Sequence, residues 1–427
     1  MTPPRLRDRT RRAQAAWCVY DWANSAFPTV IVTFVFSAYF ARGVAESVNV
    51  GTAQWGNALA VSGLTIALLS PVLGAIADRA GPRKPWLAAL SVTCVTATAL
   101  LWFTQPDPSW ALWGLACFAV ANAAFEIGTV FYNSMLPDVA PPERIGRLSG
   151  WGWGLGYMGG LTCLTIALFV FVQGDPPPLG LDKEASEHVR VVGPLAATWF
   201  ALFCLPLFLF VPDRAPTGIP IRRAVGEGLR ALATTVRNVR RHRNVAWFLL
   251  AQILYVDGMN TMFSFGGIYA AGTFGMAVDE IIMFGIALNV FAGIGAAAFA
   301  WLDDIMGPKR VILIALAGLI AFGIPLLLVE TQTWFWLVGL PLAIFMGPAQ
   351  AASRTMMARL APPELRTEMF GMVALSGRIT AFLGPAVLAW ATLTFDSQRA
   401  GMATILFFLA GGFLVLLRVR APSPAAP

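Results

Sequence analysis

Charged side chains are scarce in this chain, 12% of its 427 residues, about half the share found in soluble globular proteins. That shortage excludes a string of two or three soluble domains, whose surfaces it could not hydrate. Histidine is scarcer still. His188 and His242 are the only two, and both fall in polar connecting segments, so no imidazole is placed to relay protons inside an apolar span. The chain lacks HExxH, lacks GxGD, and offers no histidine within a span to activate a serine, which excludes the common patterns of intramembrane hydrolysis. No enzymatic activity, cofactor or metal site is expected. Cys18, Cys94, Cys117, Cys163 and Cys204 all lie in apolar runs without ligand spacing. They read as small packing residues, not as a disulfide framework. Lysine is nearly absent too, three against 27 arginines, and alanine is abundant, a usage that points to a bacterium with a GC-rich genome.

What the chain has instead is apolar length. Hydrophobic residues make up 57% of it, in runs of about 20, the length that crosses a bilayer core. Apolar runs and their Gly, Pro and charged interruptions mark twelve helices, at about 15–40, 54–77, 85–104, 110–136, 147–172, 193–211, 245–271, 279–301, 310–329, 333–358, 367–393 and 399–418. The arginine-rich start leads into a first run too long for a cleaved signal peptide, so the first span itself is expected to direct insertion. Placing both termini and every even-numbered loop on one face puts 25 of the 30 cations there. Only Arg42, Lys183, Arg190 and Arg399 fall on the other face, and Arg378 remains inside span eleven. Cytoplasmic loops retain such cations. An integral, multi-pass protein with both termini in the cytoplasm, in a bacterial inner membrane, follows as the expectation. The net charge of +7 then reports topology and not nucleic-acid binding.

A polar connector at 212–244, opened by Pro212, Pro216 and Pro220 and carrying eight arginines, divides the chain into an N-terminal six-helix unit (1–211) and a C-terminal one (245–427). Within it Val225, Leu229, Leu232, Val236 and Val239 recur at helical spacing opposite Arg222, Arg230, Arg237 and Arg241. This is the pattern of a helix lying on an anionic leaflet; a solvated basic linker is the plainer reading. The segment at 173–192 reads as a polar, partly flexible external loop.

The two halves repeat one another. Asp21-x-x-Asn24 matches Asp257-x-x-Asn260, Asp78-x-x-Gly81-Pro82-Arg83-Lys84 matches Asp304-x-x-Gly307-Pro308-Lys309-Arg310, and Ala140-Pro141-Pro142-Glu143 matches Ala361-Pro362-Pro363-Glu364. The matches fall in the same order at equivalent places in the two six-helix plans. Parallel repeats of this kind hold a substrate between them near mid-membrane and rock about it.

GAIADRAGPRK (74–84) resembles the loop signature of the major facilitator superfamily, with Pro82 inserted after the second glycine. YDWANSAFPTVIVTFVFSAYF (20–40) and FYNSMLPDVAPPERIGRLSGWGWGLGYMGG (131–160) are similar to the facilitator family named for the fungal vacuolar amino-acid effluxer linked to autophagy, and to its bacterial relatives. The resemblance implies an all-α membrane protein of twelve transmembrane helices in two pseudo-symmetric six-helix bundles, and export of small solutes, amino acids foremost, by a functional monomer. A sugar or multidrug facilitator is the alternative, as is a transporter-derived receptor or scaffold without flux. Partners would be the small-molecule substrate, membrane lipids and, if transport is coupled, protons.

A carboxylate at the middle of a span costs about 3 kcal/mol unless it is partnered, hydrated or protonated. Few residues meet that description: Asp257 in span seven, Glu126 in span four and Arg378 in span eleven, with Asp21 nearer the cytoplasmic end of span one. Asp21 with Asn24, and Asp257 with Asn260, share a helical face. They are expected either to face a central cavity from both sides or to bond neighbouring helices. Arg378, whose repeat counterpart is Tyr157, is expected either to hold a substrate carboxylate, with Asp257 or Glu126 carrying a coupling proton, or to form an ion pair with Glu126. Sodium coupling through backbone carbonyls stays open. Asp78, Arg79, Arg83 and Lys84, with the repeat's Asp304, read as gating contacts or as a topology-setting cluster. Ile305 replaces Arg79 in the second copy, which argues against a symmetric latch. Tyr132, Asn133, Asn289, Gln350 and Ser353 are lesser cavity candidates, and the glycines of 150–160 are read as a helix-packing seam.

Overall fold

A computed structural model describes residues 4–237 and 243–420. Among them there are helices and connections but no strand, the outcome expected where lipid leaves backbone groups no partner outside their own helix. Eleven helices are long and apolar enough to cross a membrane: α1 (Arg9–Val44), α2 (Val48–Ala80), α3 (Lys84–Phe103), α4 (Pro108–Val139), α5 (Pro142–Val172), α6 (Glu187–Phe210), α8 (Glu280–Met306), α9 (Pro308–Leu328), α10 (Gln332–Leu360), α11 (Pro363–Thr394) and α12 (Gln398–Leu417). Between α6 and α8 stands α7 (Arg243–Phe274), 32 residues long and more polar, carrying Gln252, Asp257, Asn260 and Thr261.

The helix ends follow from local chemistry. Ser47, Asp107, Thr331 and Ser397 each accept a backbone N–H from the first turn of the helix that follows, the usual cap for orphan donors. At the other face, α2 and α8 stop at Gly81 (φ 102°) and Gly307 (φ 86°), where a positive φ suits glycine and the following proline cannot continue the helix. The duplicated Gly-Pro of the sequence is thus a duplicated helix stop. Several spans are irregular, α5 among them, whose Ile166–Val172 end winds as a π-helix. Phe27–Phe34 of α1, with Pro28 inside it, winds as a π-helix, and α11 is interrupted between Ile379 and Leu383.

Each half packs alike: α1 against α5 and α6, α2 against α4, and α3 against α4 and α6 in the first; α7 against α11 and α12, α8 against α10, and α9 against α10 and α12 in the second. The halves meet chiefly through α2 with α11 and α5 with α8. That seam is tight only towards the face that carries the termini. A Cβ on Gly74 of α2 would sit 2.6 Å from the Thr367 carbonyl, and one on Gly150 of α5 would sit 2.5 Å from Ala300 of α8, whereas further from the termini one on Gly63 of α2 would meet only the Arg378 Cδ at 3.9 Å and one on Gly285 of α8 only the Phe34 ring at 3.9 Å. The halves are packed tightly at the termini face and more loosely towards the other.

In the connector, Ile221–Arg237 is helical and lies on α2 through Ala224, which is fully buried, and Gly228, which touches the Ala75–Ile76 backbone. Leu229 stays exposed. The small-residue edge, and not the Val225–Leu229–Leu232 stripe, faces protein, which leaves the larger apolar side chains for lipid. The side chains of Val236 and Arg237, together with Val239, Arg241 and His242, lie outside the described residues. The 173–192 loop is pinned by Arg190, whose guanidinium is buried over the Trp102 ring and whose Nε donates to the Trp102 carbonyl at 2.7 Å.

Candidate functional site

The closed face is held by two reciprocal caps. Asp78, at the end of α2, accepts the Glu368 backbone N–H at 3.0 Å and the Thr367 hydroxyl at 2.7 Å, both from the start of α11. Asp304, at the end of α8, accepts the Arg147 backbone N–H at 3.1 Å at the start of α5 and pairs with the Arg147 guanidinium. Each half thus lends an aspartate to the positive end of a helix in the other half, where a carboxylate is most stabilising. The caps are copies related by the sequence duplication. Their symmetry rests on the aspartates alone, so Ile305 in place of Arg79 does not break it: Arg79 is exposed, and its carbonyl, not its guanidinium, meets Thr217.

Around the first cap the arrangement is denser. Arg83 is buried at 1% exposure; it donates to Asp138 Oδ2 at 2.7 Å, the Ser134 carbonyl at 2.8 Å and the Thr367 hydroxyl at 2.9 Å, and pairs with Asp78 at 3.3 Å. Burial pulls its pKa down, while the Asp78 and Asp138 carboxylates beside it oppose that shift. Asp138 also receives Arg214 and Arg366, joining the connector and α11 to α4. Lys84 stands aside, its Nζ donating to the Phe208 carbonyl. In the repeat, Asp138 corresponds to Arg359 and Arg83 to Lys309, which is spent on the Leu417 carbonyl. The second cluster is therefore built differently, with Asp303, buried at 2%, packed beneath Gly146.

Deeper between the halves lies a residue that sequence reasoning misplaced. Arg354, grouped above with the loop cations, sits inside α10 and is buried. Its Nη1 donates to Asp21 Oδ2 at 2.9 Å and Asn133 Oδ1 at 3.3 Å, Nε to Ser149 Oγ at 2.9 Å, and Nη2 to the Ser149 carbonyl at 2.6 Å. The guanidinium lies 4.6 Å from the Trp17 ring centroid, which itself stacks on Tyr132. Every partner belongs to the first half. Arg354 is a plug from the second half seated in an acidic, aromatic socket of the first, the geometry in which arginine is favoured over lysine. Asp21 therefore holds a helix across the seam, and Asn24 is buried beside it. A signal was present: span ten as bounded above already enclosed Arg354, and its repeat counterpart is Asn133 of the FYNSM stretch.

Its duplicate behaves differently. Asp257 is buried against α11, where its Oδ2 accepts the Gly384 N–H at 2.8 Å just after the interruption. The N-terminal end of a half-helix inside the membrane is thus capped by a carboxylate from α7. Asn260 points elsewhere and is exposed.

On the other side of the interruption, Arg378 pairs with Glu126 of α4, second half to first. Both side chains are about one-third exposed, 29% and 32%, in the space where the halves part. Tyr157 donates to Gln350 Oε1 at 2.7 Å across the α5–α10 contact, and Tyr255 shares a 2.6 Å hydrogen bond with Ser353. These deep ionisable groups thus differ: Asp21 and Arg354 are sealed across the closed face, Asp257 is sealed within the second half, and the Arg378–Glu126 pair is left accessible.

The family model described as "Vacuole effluxer Atg22 like" matches residues 57–424. The chain belongs to that family. It is 28% identical to the "Uncharacterized MFS-type transporter YxiO" of Bacillus subtilis over 95% of this chain and 94% of that one. It is 23% identical to "Autophagy-related protein 22" of Cryptococcus neoformans, over 64% of this chain and 50% of the relative, so it spans about half the length of that fungal protein. In fold it is similar to the major facilitator superfamily transporter FucP in the outward conformation, with a TM-score of 0.75, 13% identity, and 95% and 98% of the two chains covered. The Atg22-like chain is an integral membrane protein of the major facilitator fold and an MFS-type transporter.

Proposed function

We propose that the protein exports a small zwitterionic solute, an amino acid foremost, by alternating access between the halves 1–211 and 245–427, joined by the 212–244 connector. The cation-rich termini face would be cytoplasmic, in a bacterial inner membrane, in keeping with the retention of Lys and Arg by cytoplasmic loops. The arrangement described above is then the outward-facing one.

The observation that carries this reading is the Arg378–Glu126 pair. It is drawn from both halves, stands beside the α11 interruption, and is accessible where the sealed pairs are not. A zwitterion carries the same two charges a few ångströms apart. Entering the pair, its carboxylate takes the Arg378 fork and its ammonium takes Glu126, so no charge is left unpartnered in a low-dielectric site. Asn260 and Tyr157 are candidate contacts for the rest of the solute. A proton would compete with the ammonium for Glu126, and Asp257, once released from the Gly384 N–H, is the other carboxylate able to carry one. Asp21 with Asn24 and Arg354, and the Asp78–Arg83–Lys84 and Asp304 clusters with exposed Arg79 at their edge, serve as the cytoplasmic gate.

A thermal-shift screen of purified protein against amino acids, sugars and cationic drugs tests the reading, because a ligand at 100 times its Kd stabilises by about 2.7 kcal/mol. Selected amino acids should raise Tm in the wild type and not in Arg378→Ala. Stabilisation by sugars or drugs alone, or an undiminished amino-acid shift in Arg378→Ala, would exclude it.

A further inference from the structure

The seam between the halves also has an outer side. There a groove of about 920 Å³ runs between α1 and α5 of the first half and α8 of the second. Its lining recurs along one face of α5 from Leu148 to Thr162, about 21 Å at the α-helical rise. Met158, Val290 and Ile294 line it and are exposed at 59%, 42% and 56%, so the groove opens sideways, towards lipid. The polar side chains at its far end are turned onto protein: Asn289 donates to its own helix at Gly285, and Tyr157 to Gln350. At its near end, on the termini face, stands Arg11. Arg11 is exposed, as are Arg9 and Arg12, and among the described residues none of the three forms an ion pair.

A long apolar slot thus begins at an exposed guanidinium and runs somewhat further than half of the roughly 30 Å hydrocarbon core. Those are the proportions of one phospholipid, with an acyl chain in the slot and a phosphate on the arginine fork, which suits phosphate oxygens. We propose that the groove binds one anionic phospholipid from the leaflet at the termini face. Charge complementarity selects the headgroup: the exposed Arg11 guanidinium at the mouth of the slot favours a lipid of net negative charge over a zwitterionic one. Because α5 and α8 supply opposite walls, the bound lipid spans both halves and favours the arrangement in which they are closed at this face. It acts as a ligand of one access state, and such a ligand shifts the population towards that state.

Native mass spectrometry of the purified full chain tests the proposal with three probes: phosphatidylglycerol, phosphatidylcholine with the same acyl chains, and glycerol phosphate as the chainless headgroup. The wild type should retain one phosphatidylglycerol at least fivefold better than phosphatidylcholine, and should not retain glycerol phosphate. Arg11→Gln should erase the preference, Arg11→Lys should keep most of it, and Arg12→Gln, outside the groove, should leave it unchanged. Ile294→Trp, which fills the slot, should lower retention of both lipids several-fold, and the Tm of each variant in phosphatidylcholine serves as the control for folding. Equal retention of the two lipids by the wild type, a preference that survives Arg11→Gln, or binding of glycerol phosphate as tight as that of phosphatidylglycerol would overturn it.

Discussion

Replacing Arg354 by methionine is the most informative perturbation of the closed face. Methionine suits an apolar helix and fills much of the space, but it removes four donated hydrogen bonds and the contact with the Trp17 ring. Asp21 is then a buried carboxylate without its cation, and removing one partner of a buried pair costs about 3–5 kcal/mol. Arg354 comes from the second half and its whole socket from the first, so the loss falls on the state in which the halves are closed at the termini face. At about 1.4 kcal/mol per tenfold, the equilibrium should move on the order of a hundred- to a thousandfold towards opening there. The assay is double electron–electron resonance on spin labels at Arg144 and Ile305, both exposed beside the Arg147–Asp304 contact, and at Thr52 and Thr394, exposed on the opposite face, in a background with the five native cysteines replaced. In Arg354→Met the first distance should lengthen and the second shorten. Asp21→Asn added to Arg354→Met should recover part of the wild-type distribution, since replacing both members of a buried pair is far cheaper than removing one. Unchanged distances in the single variant, or a double variant displaced as far as the single one, would refute the reasoning.

Asp78→Ala and Asp304→Ala remove equivalent caps and should each weaken the closed face by about 1–2 kcal/mol, with Asp78→Ala the larger effect because it also strips a partner from buried Arg83; the same spin-label pairs rank them. Gly384→Ala would place a Cβ 2.1 Å from Thr261 Oγ1, so it should destabilise by about 1–3 kcal/mol, and Thr261→Ala should rescue part of that loss in a thermal melt. Tyr255→Phe and Ser353→Ala should each cost about 1 kcal/mol, and their double variant should cost less than the sum, as expected for two ends of one hydrogen bond.

Much of this architecture is legible in the amino-acid order, because lipid makes hydropathy a direct measure of helix position. The duplicated Asp-x-x-Gly-Pro goes further: it marks both a helix stop and the aspartate that caps the other half, since the same local chemistry is used twice. Arg354 was less accessible to that reasoning. A cation near a helix end is ordinarily a loop cation, and only the partners brought by α1, α4 and α5, more than 200 positions away in sequence, make its burial tolerable. The fates of Asp21 and Asp257 diverge for a similar reason. Identical Asp-x-x-Asn spacing meets an arginine in one half and the open N-terminal end of a half-helix in the other, and neither neighbour is written in the repeat itself. The Arg378–Glu126 contact was one of two readings left open by the sequence; the interruption of α11 beside it was not foreseen, although Pro385, which has no N–H for the Ala381 carbonyl, marks it.

The central claim, that the halves exchange a zwitterionic solute across the Arg378–Glu126 pair, is tested most directly by counterflow in proteoliposomes preloaded with an unlabelled amino-acid mixture. Labelled amino acid should accumulate transiently in wild-type vesicles and remain at the level of protein-free vesicles with Arg378→Gln. Accumulation by Arg378→Gln equal to that of the wild type, or none by the wild type with any amino acid, would contradict it.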